Sequence, residues 1–333
     1  MNNTISARLA CSALVFFFSI GSSGAAQPSP QSKPETVKIG SSDDYDLNNL
    51  PDDHYGRLVR YGKKLTDETY AVIGPEVKNP KMRYAGNNLA CSSCHQESGT
   101  LVNAIPFIGV SAVFPQYRPR EDDVSTIEER INGCMQRSMN GRALPIDSKE
   151  MKAYVSYMHF LSRAIPIGSI MEGSGLKPIK PPDRAANPQA GGQLFARNCV
   201  KCHGAEGQGE RTGKIGDAQG YDVPPLWGKD SFNDGAGMNR LLVAMRFTKH
   251  NMVKALSDDQ AYDLAAYIVS QPRPHKTNLD KDFPARWNKP VDAAFPPYVD
   301  GASPEQHKYG PFGPLTEKMK ELKSSLMQGT GKL

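Results

Sequence analysis

Apolar residues recur at helical spacing in several separate stretches of the chain. The pattern predicts helices over 52–73, 124–139, 147–163 and 315–328, and shorter ones that begin near residues 188 and 258. The 30 Gly and 26 Pro residues predict many turns between these helices and little sheet. The chain is therefore expected to be mainly α-helical.

Side chains that cap helices precede several of these stretches. Asn187 followed by Pro188 is a typical helix start, because proline suits the first helical position. Capping boxes, in which two side chains bond reciprocally to the backbone of the first turn, are predicted for Ser125 with Glu128, Asp147 with Glu150, and Ser257 with Gln260.

The helices fall into two units on either side of a linker. Residues 166–187 are rich in Gly, Pro and Lys, as linkers are. The order helix, Cys-x-x-Cys-His motif, loop, helix occurs in 27–165 and again in 188–275. Residues 276–333 hold many prolines and aromatic residues and are expected to form an irregular tail that packs over both domains.

The N-terminus has the features of a cleavable signal peptide. Arg8 supplies a positive charge, residues 9–20 are apolar, and small residues end the segment at residue 26. An uncleaved anchor is the alternative, although the apolar run is short for a membrane span. No later stretch is long and apolar enough, so the prediction is export of 27–333 to the periplasm without stable membrane insertion.

Two Cys-x-x-Cys-His motifs carry the first chemical signal. They are Cys91, Cys94 and His95 in the first unit and Cys199, Cys202 and His203 in the second. This spacing is typical of covalent haem c attachment, with the histidine as an iron ligand. Disulfides or one zinc site with four cysteine ligands are the alternatives, but the histidine after each pair and the long separation of the pairs favour two haem c groups.

The net charge of +5 is mild and the basic residues are scattered, so nucleic acid is not an expected partner. Once the signal peptide is removed, five cysteines remain, and Cys134 belongs to neither motif. An odd cysteine in an exported protein needs an explanation.

Each haem needs a second axial ligand or an open position. In the second unit Met252 stands in the loop before the last helix, where a methionine ligand is expected; Met245, Lys249 and His250 are competitors, and plain apolar packing is the alternative. In the first unit the matching loop holds Leu144 instead.

Leu144 cannot bind iron, so another group of the first unit is expected to do so. Cys134 lies on the inward face of the helix predicted over 124–139, and a thiolate ligand would lower the haem potential. An inert buried thiol is the alternative interpretation of Cys134. Met135, Met139 and His159 are alternative ligands.

Arginines surround Cys134 in the sequence. On an ideal helix Arg130 and Arg137 lie near its side, and Arg118, Arg120 and Arg142 are close along the chain. Guanidinium groups lower a thiol's pKa and bind oxyanions, so the cluster favours an anionic, sulfur-bearing substrate. Ion pairs with neighbouring Asp and Glu residues are the alternative.

The string 130–141, together with 88–95 and 117–120, resembles the exported dihaem thiosulfate dehydrogenases, which form tetrathionate. The likeness extends over about 45–298 and implies two class I cytochrome c-like domains in tandem. It implies His95 and Cys134 as ligands of an active-site haem. It further implies His203 and Met252 at an electron-transfer haem, with Lys249 as a rival.

The same resemblance matches Arg120 and Arg130, and also Ser138, to the family's substrate-binding residues. The predicted activity couples two thiosulfates to tetrathionate at Cys134, with Arg120, Arg130 and Arg137 holding sulfonate oxygens. Two electrons would go to a soluble acceptor such as a small c-type cytochrome or an iron-sulfur protein. Tetrathionate reduction and a dihaem electron carrier without its own substrate are the alternatives.

Overall fold

Helices dominate the part of the chain that the computed structural model describes, residues 35–40 and 45–330. The signal peptide predicted for 1–26 lies outside these residues. The helices are α1 (His54–Asp67), α2 (Thr69–Ile73), α3 (Gln96–Gly99), α4 (Val110–Val113), α5 (Ile127–Arg137), α6 (Lys149–Ser162), α7 (Pro188–Asn198), α8 (Val200–His203), α9 (Leu241–Phe247), α10 (Asp258–Ser270), α11 (Pro304–Tyr309) and α12 (Phe312–Thr330).

Strands are short and pair only in twos within the described residues. Strand β1 (Thr36–Lys38) pairs in parallel with β4 (Ile170–Glu172). Two antiparallel pairs follow, β2 (Gln116–Arg118) with β3 (Asp123–Ser125) and β5 (Glu210–Arg211) with β6 (Tyr221–Val223). The mainly α fold class is thereby confirmed.

The predicted starts of α7 and α10 are confirmed. Asn187 caps α7 with Pro188 in its first turn, and Ser257 forms a capping box with Gln260 at α10. The prediction for α5 was wrong by one residue: Thr126, not Ser125, bonds reciprocally with Glu129. Ser125 is instead the last residue of β3, paired with Gln116.

The predicted start of α6 was also wrong by one residue. Ser148, not Asp147, accepts from the N–H of Met151 at 3.1 Å. Glu150 is 8% exposed and accepts a hydrogen bond from the Tyr61 hydroxyl at 2.9 Å, so its carboxylate is engaged with α1.

Each unit is built on one close helix crossing. In the first unit α1 packs on α6 at Gly62, where a Cβ would overlap the carbonyl oxygen of Ala153. In the second unit α7 packs on α10 at Gly191, where a Cβ would overlap the carbonyl oxygen of Asp263. Both glycines let two helix backbones approach closely, so the repeat seen along the sequence is also a structural repeat.

The linker and the tail are packed rather than free. Ile179 and Ala186 of the linker, and Phe312 and Leu315 of α12, are buried in the core of the second unit. The tail is irregular only before α11, and its last helix begins at Phe312, earlier than the sequence predicted. The exact domain boundaries stay predictions.

Polar side chains join the two units. The Asn87 amide donates to the carbonyl oxygens of Ser138 at 2.9 Å and Ser231 at 3.1 Å. Asn233 donates back to the carbonyl oxygen of Gln136 at 2.9 Å, and Arg211 pairs with Glu76 at 2.8 Å. Within the described residues, no helix combines the length and the hydropathy that a membrane crossing requires.

Candidate functional site

Each Cys-x-x-Cys-His motif lines a cavity. The first cavity, of about 400 Å³, contains Cys91, Cys94 and His95 in its wall. The second, of about 240 Å³, contains Cys199, Cys202 and His203. Both walls are mainly apolar, which is the surrounding that a haem requires.

The two motif histidines are oriented in the same way. His95 Nδ1 lies 2.5 Å from the carbonyl oxygen of Ile105, and His203 Nδ1 lies 2.9 Å from that of Pro224. A carbonyl can only accept, so Nδ1 carries the proton and Nε2 keeps its lone pair for a metal. All five described cysteines are free of disulfides. The residues present therefore fit two covalently attached haems.

Cys134 differs chemically from the motif cysteines. Burial raises the pKa of Cys94 to about 12 and that of Cys199 to about 11. At Cys134 burial also opposes ionisation, but the charge of Arg130 outweighs it and lowers the pKa to about 6. Arg130 Nη1 donates to the Cys134 sulfur at 2.6 Å. The structure thus places a stabilised thiolate in the same cavity as His95.

Helix α5 and the segment before it bring four predicted arginines to the first cavity, namely Arg118, Arg120, Arg130 and Arg137; Ser138 lines it as well. Arg142 does not join them: it is exposed, bonds the carbonyl oxygens of Arg83 and Lys81, and stacks on Tyr84.

The carboxylates that pair with these arginines come from near and far in the chain. Arg118 pairs with its neighbour Glu121 at 3.0 Å, as the ion-pair alternative expected. Arg120 and Arg137 both pair with Asp282, which lies in the tail.

Sequence reasoning missed the contribution of the second unit and the tail to the first cavity. Arg240 lines it and pairs with the fully buried Asp292 at 2.6 Å. Phe283, Asn288 and Pro290 of the tail line it too. No local pattern marks these residues; the one usable signal was that a cluster of buried arginines requires counter-charges.

The alternative ligands of the first unit separate into two groups. Met135 and Met139 are buried and line the first cavity. His159 lies on the exposed side of α6, where its Nδ1 is 3.1 Å from the Tyr55 hydroxyl. Leu144, which stands where a methionine was expected, is 2% exposed within the core.

Met252 lines the second cavity together with His203. It ends a turn of π-helix, Thr248–Met252, and is 44% exposed. Lys249 donates to the carbonyl oxygen of Leu256 and lies 3.8 Å from Asp258, so its ammonium is engaged elsewhere. Met245 is fully buried in the core.

The two cavities share a wall. Both are lined by the same four residues, Leu89, Cys94, Phe232 and Met238. Cys94 belongs to the first motif, so the attachment point of one haem borders the cavity of the other.

Comparisons with known proteins agree with this architecture. Residues 82–167 match the family described as SoxA/TsdA, cytochrome c domain, and residues 188–272 match the family described as Cytochrome c. A thiosulfate dehydrogenase of Psychrobacter arcticus is 41% identical over 72% of this chain and 70% of its own length. One of Allochromatium vinosum is 40% identical over 68% of this chain and 82% of its own.

A solved structure is similar as well. Thiosulfate dehydrogenase (TsdBA) of Marichromatium purpuratum, in its as-isolated form, superposes with a TM-score of 0.63 at 31% identity and covers 73% of this chain. The present chain spans 50% of that longer chain. The sequence relatives, the two matched cytochrome domains and this structure together show that the chain belongs to the family of dihaem thiosulfate dehydrogenases and carries two covalently bound haem c groups.

Proposed function

We propose that this chain oxidises thiosulfate to tetrathionate at Cys134 in the first cavity and delivers two electrons to a soluble acceptor. The names of its relatives support thiosulfate oxidation, and no observation favours the reverse reaction or a carrier without substrate. The observation that carries the residue assignment is the thiolate of Cys134, bonded to Arg130 and sharing a cavity with His95.

The residues of each cavity divide between attachment and ligation. Cys91 and Cys94 would hold one haem, with His95 and Cys134 as its ligands. Cys199 and Cys202 would hold the other, with His203 and Met252, or alternatively Lys249, as ligands. When bound, the two haems supply one-electron acceptors for the two electrons that thiosulfate loses.

The arginines offset the main barrier, which is the repulsion between two thiosulfate dianions. Five guanidiniums line the first cavity, those of Arg118, Arg120, Arg130, Arg137 and Arg240. Their paired carboxylates are three, Glu121, Asp282 and Asp292. The thiolate of Cys134 is a fourth negative charge. The side chains of the cavity therefore keep a small excess of positive charge, which favours sulfonate oxygens.

Arg120 and Arg130 are the arginines proposed to hold substrate. Arg137 has a different position, because its Nε and Nη2 donate to Asp282 and its Nη1 donates to the carbonyl oxygen of Gly133 at 3.3 Å. We therefore propose that Arg137 holds Asp282 in place and does not bind substrate itself. Ser138, the C-cap of α5, is proposed to donate its hydroxyl to the thiosulfate sulfonate that Arg120 and Arg130 hold.

Cys134 is proposed as a covalent participant, which would leave the iron to carry a sulfur adduct. In a first step its thiolate and the sulfane sulfur of one thiosulfate form a sulfur–sulfur bond and give up two electrons. This leaves a cysteine S-thiosulfonate, Cys–S–S–SO3−. A second thiosulfate then attacks the sulfane sulfur of this adduct. Tetrathionate forms and Cys134 departs as the thiolate, so charges and atoms balance.

The protein is proposed to be periplasmic. Electrons are proposed to leave it through the second cavity. Cys202 and Met252 are exposed there, so a small c-type cytochrome or an iron-sulfur protein can approach that edge closely. Leu89, Phe232 and Met238 of the shared wall are apolar and lie between the two cavities.

Replacement of Cys134 by Ala tests the proposal. Turnover of thiosulfate should be lost while both haems remain attached, since Cys91, Cys94, Cys199 and Cys202 are unchanged. The measurement is thiosulfate-dependent reduction of an artificial acceptor, with haem content from the absorption spectrum. Arg142→Met, an exposed change outside the cavity, is the control and should keep turnover. Full activity of the Cys134 variant would overturn the assignment.

A further inference from the structure

A single carboxylate holds two arginines of the first cavity. Asp282 Oδ2 accepts from Arg120 Nη1 at 2.5 Å, and its Oδ1 accepts from Arg137 Nη2 at 2.6 Å. Arg137 Nε adds a bond to Oδ2 at 3.1 Å. Asp282 is 5% exposed, so the three charged groups meet almost out of contact with solvent.

The backbone beside Asp282 is fixed to the same arginine. The N–H of Phe283 donates to the carbonyl oxygen of Arg120 at 2.8 Å, and the Arg120 guanidinium lies 4.8 Å from the centroid of the Phe283 ring. Arg120 also donates to the carbonyl oxygen of Gly235 in the second unit at 3.2 Å. The segment that carries Asp282 is therefore docked on the arginine that the carboxylate binds.

The carboxylate is needed electrostatically. Burial and the nearby Arg137 lower the pKa of Arg120 to about 10, which shows how unfavourable two close buried guanidiniums are. Burial alone would raise the pKa of Asp282, but Arg137 and Arg120 lower it, so the carboxylate stays ionised. Without its charge the two cations would repel each other and separate.

We propose that Asp282 is a positioning residue: anchored by Arg137, it holds Arg120 at the wall of the first cavity and cancels part of its charge. The inference rests on the substrate-holding role proposed for Arg120 above. It gives the tail a function in the reaction, because Asp282 lies outside both matched regions, 82–167 and 188–272.

The test is a double-mutant cycle of Asp282→Asn with Arg120→Met in the haem-loaded enzyme. Asp282→Asn alone should lower kcat by about 10-fold or more, because Arg120 is no longer held in place. In the Arg120→Met background the same change should alter kcat by less than about 2-fold, because a residue that acts only through Arg120 has nothing left to position.

A second readout does not depend on turnover. Sulfate, an unreactive tetrahedral dianion, should bind the oxidised Asp282→Asn protein about 3-fold or more tightly by calorimetry, since it can take the place of the lost carboxylate between the two guanidiniums. That gain should disappear when Arg120 is Met. If Asp282 had a merely structural role, its replacement by Asn would not tighten sulfate binding, and no gain would depend on Arg120.

Two further variants make the test decisive. Asp282→Glu keeps the charge and shifts it by one methylene; it should fold, lower kcat and leave sulfate affinity unchanged. Asp263→Asn is the matched control, because Asp263 pairs with Arg184 at 2.8 Å away from both cavity linings and should leave kcat unchanged.

Each outcome separates this inference from the proposed function. Wild-type kcat in both Asp282 variants, or a loss that repeats in full in the Arg120→Met background, would overturn the inference alone. Wild-type kcat in Arg120→Met would instead refute the role of Arg120.

Discussion

At the scale of single residues, the pair Arg130 and Cys134 determines the character of the first cavity. They stand one helical turn apart on α5, and the guanidinium donates to the sulfur at 2.6 Å. A charge-assisted hydrogen bond of this kind is stronger than a neutral one and fixes the ionisation state of the thiol. The same guanidinium lines the cavity where sulfonate oxygens are proposed to bind.

Replacement of Arg130 by Met should therefore destabilise the thiolate form of Cys134 and weaken the binding of thiosulfate. We expect kcat/KM for thiosulfate to fall about 100-fold, the range measured when one donor to a reacting anion is removed. Arg130→Lys should recover part of the loss, because it returns the charge without the planar fork. Steady-state kinetics per attached haem measures this.

Arg142→Met is the matched control for that experiment. Arg142 is exposed and bonded to backbone carbonyl oxygens outside the cavity, so its loss should leave kcat/KM unchanged. Equal losses in the two variants would contradict a specific role for Arg130.

The sequence predicted Arg130 and Cys134 together because both lie on one helix, where spacing alone brings side chains to the same side. Asp282 could not be found in this way. It reaches Arg120 and Arg137 only through the folded tail, and no local pattern distinguishes it among the 35 acidic residues of the chain. Long-range counter-charges become visible only when the tertiary structure is known.

At the scale of elements, two close helix crossings, each made at a glycine, form the framework of the two units. The crossing of α1 and α6 at Gly62 and that of α7 and α10 at Gly191 bring helix backbones into contact. Helical periodicity predicted these helices well, whereas adjacent capping residues such as Ser125 and Thr126 could not be distinguished. Both can cap, and only the β3 pairing of Ser125 decides the matter.

Gly62→Ala should separate α1 from α6. The added methyl group would overlap the carbonyl oxygen of Ala153, and overpacking of this kind costs about 1–3 kcal/mol of the free energy of unfolding. Thermal unfolding followed by circular dichroism should show a lower Tm. Gly313→Ala in α12, where a Cβ meets no atom within 4 Å, should leave Tm unchanged or raise it. A Gly62 variant as stable as wild type would argue against the close crossing.

At the scale of the whole molecule, the two units act as one because their interface carries both bonds and a shared cavity wall. Arg211 of the second unit lies 2.8 Å from Glu76 of the first and 3.5 Å from Asp230, which also accepts from the N–H of Asn88 at 2.9 Å. These contacts lie close to Leu89, which lines both cavities. Sequence patterns predicted the two units but not this interface, since its partners are far apart in the chain.

Arg211→Met should weaken the junction of the two units. It leaves the carboxylates of Glu76 and Asp230 without their shared cation in a partly buried place, at a cost of about 1–3 kcal/mol in the free energy of unfolding. Urea unfolding should shift to a lower midpoint. Arg57→Met, which removes an exposed pair with Asp52, is the control and should have no measurable effect. Equal midpoints for both variants would contradict a structural role for the Arg211 contacts.

The ligands of the first haem are proposed to be His95 and the thiolate of Cys134. Electron paramagnetic resonance of the low-spin iron in the oxidised protein reports on these ligands without depending on turnover. We expect a His/thiolate signal beside a His/Met signal, and loss of only the His/thiolate signal in Cys134→Ala. A spectrum without a thiolate signal, or one that is unchanged in that variant, would refute Cys134 as a ligand.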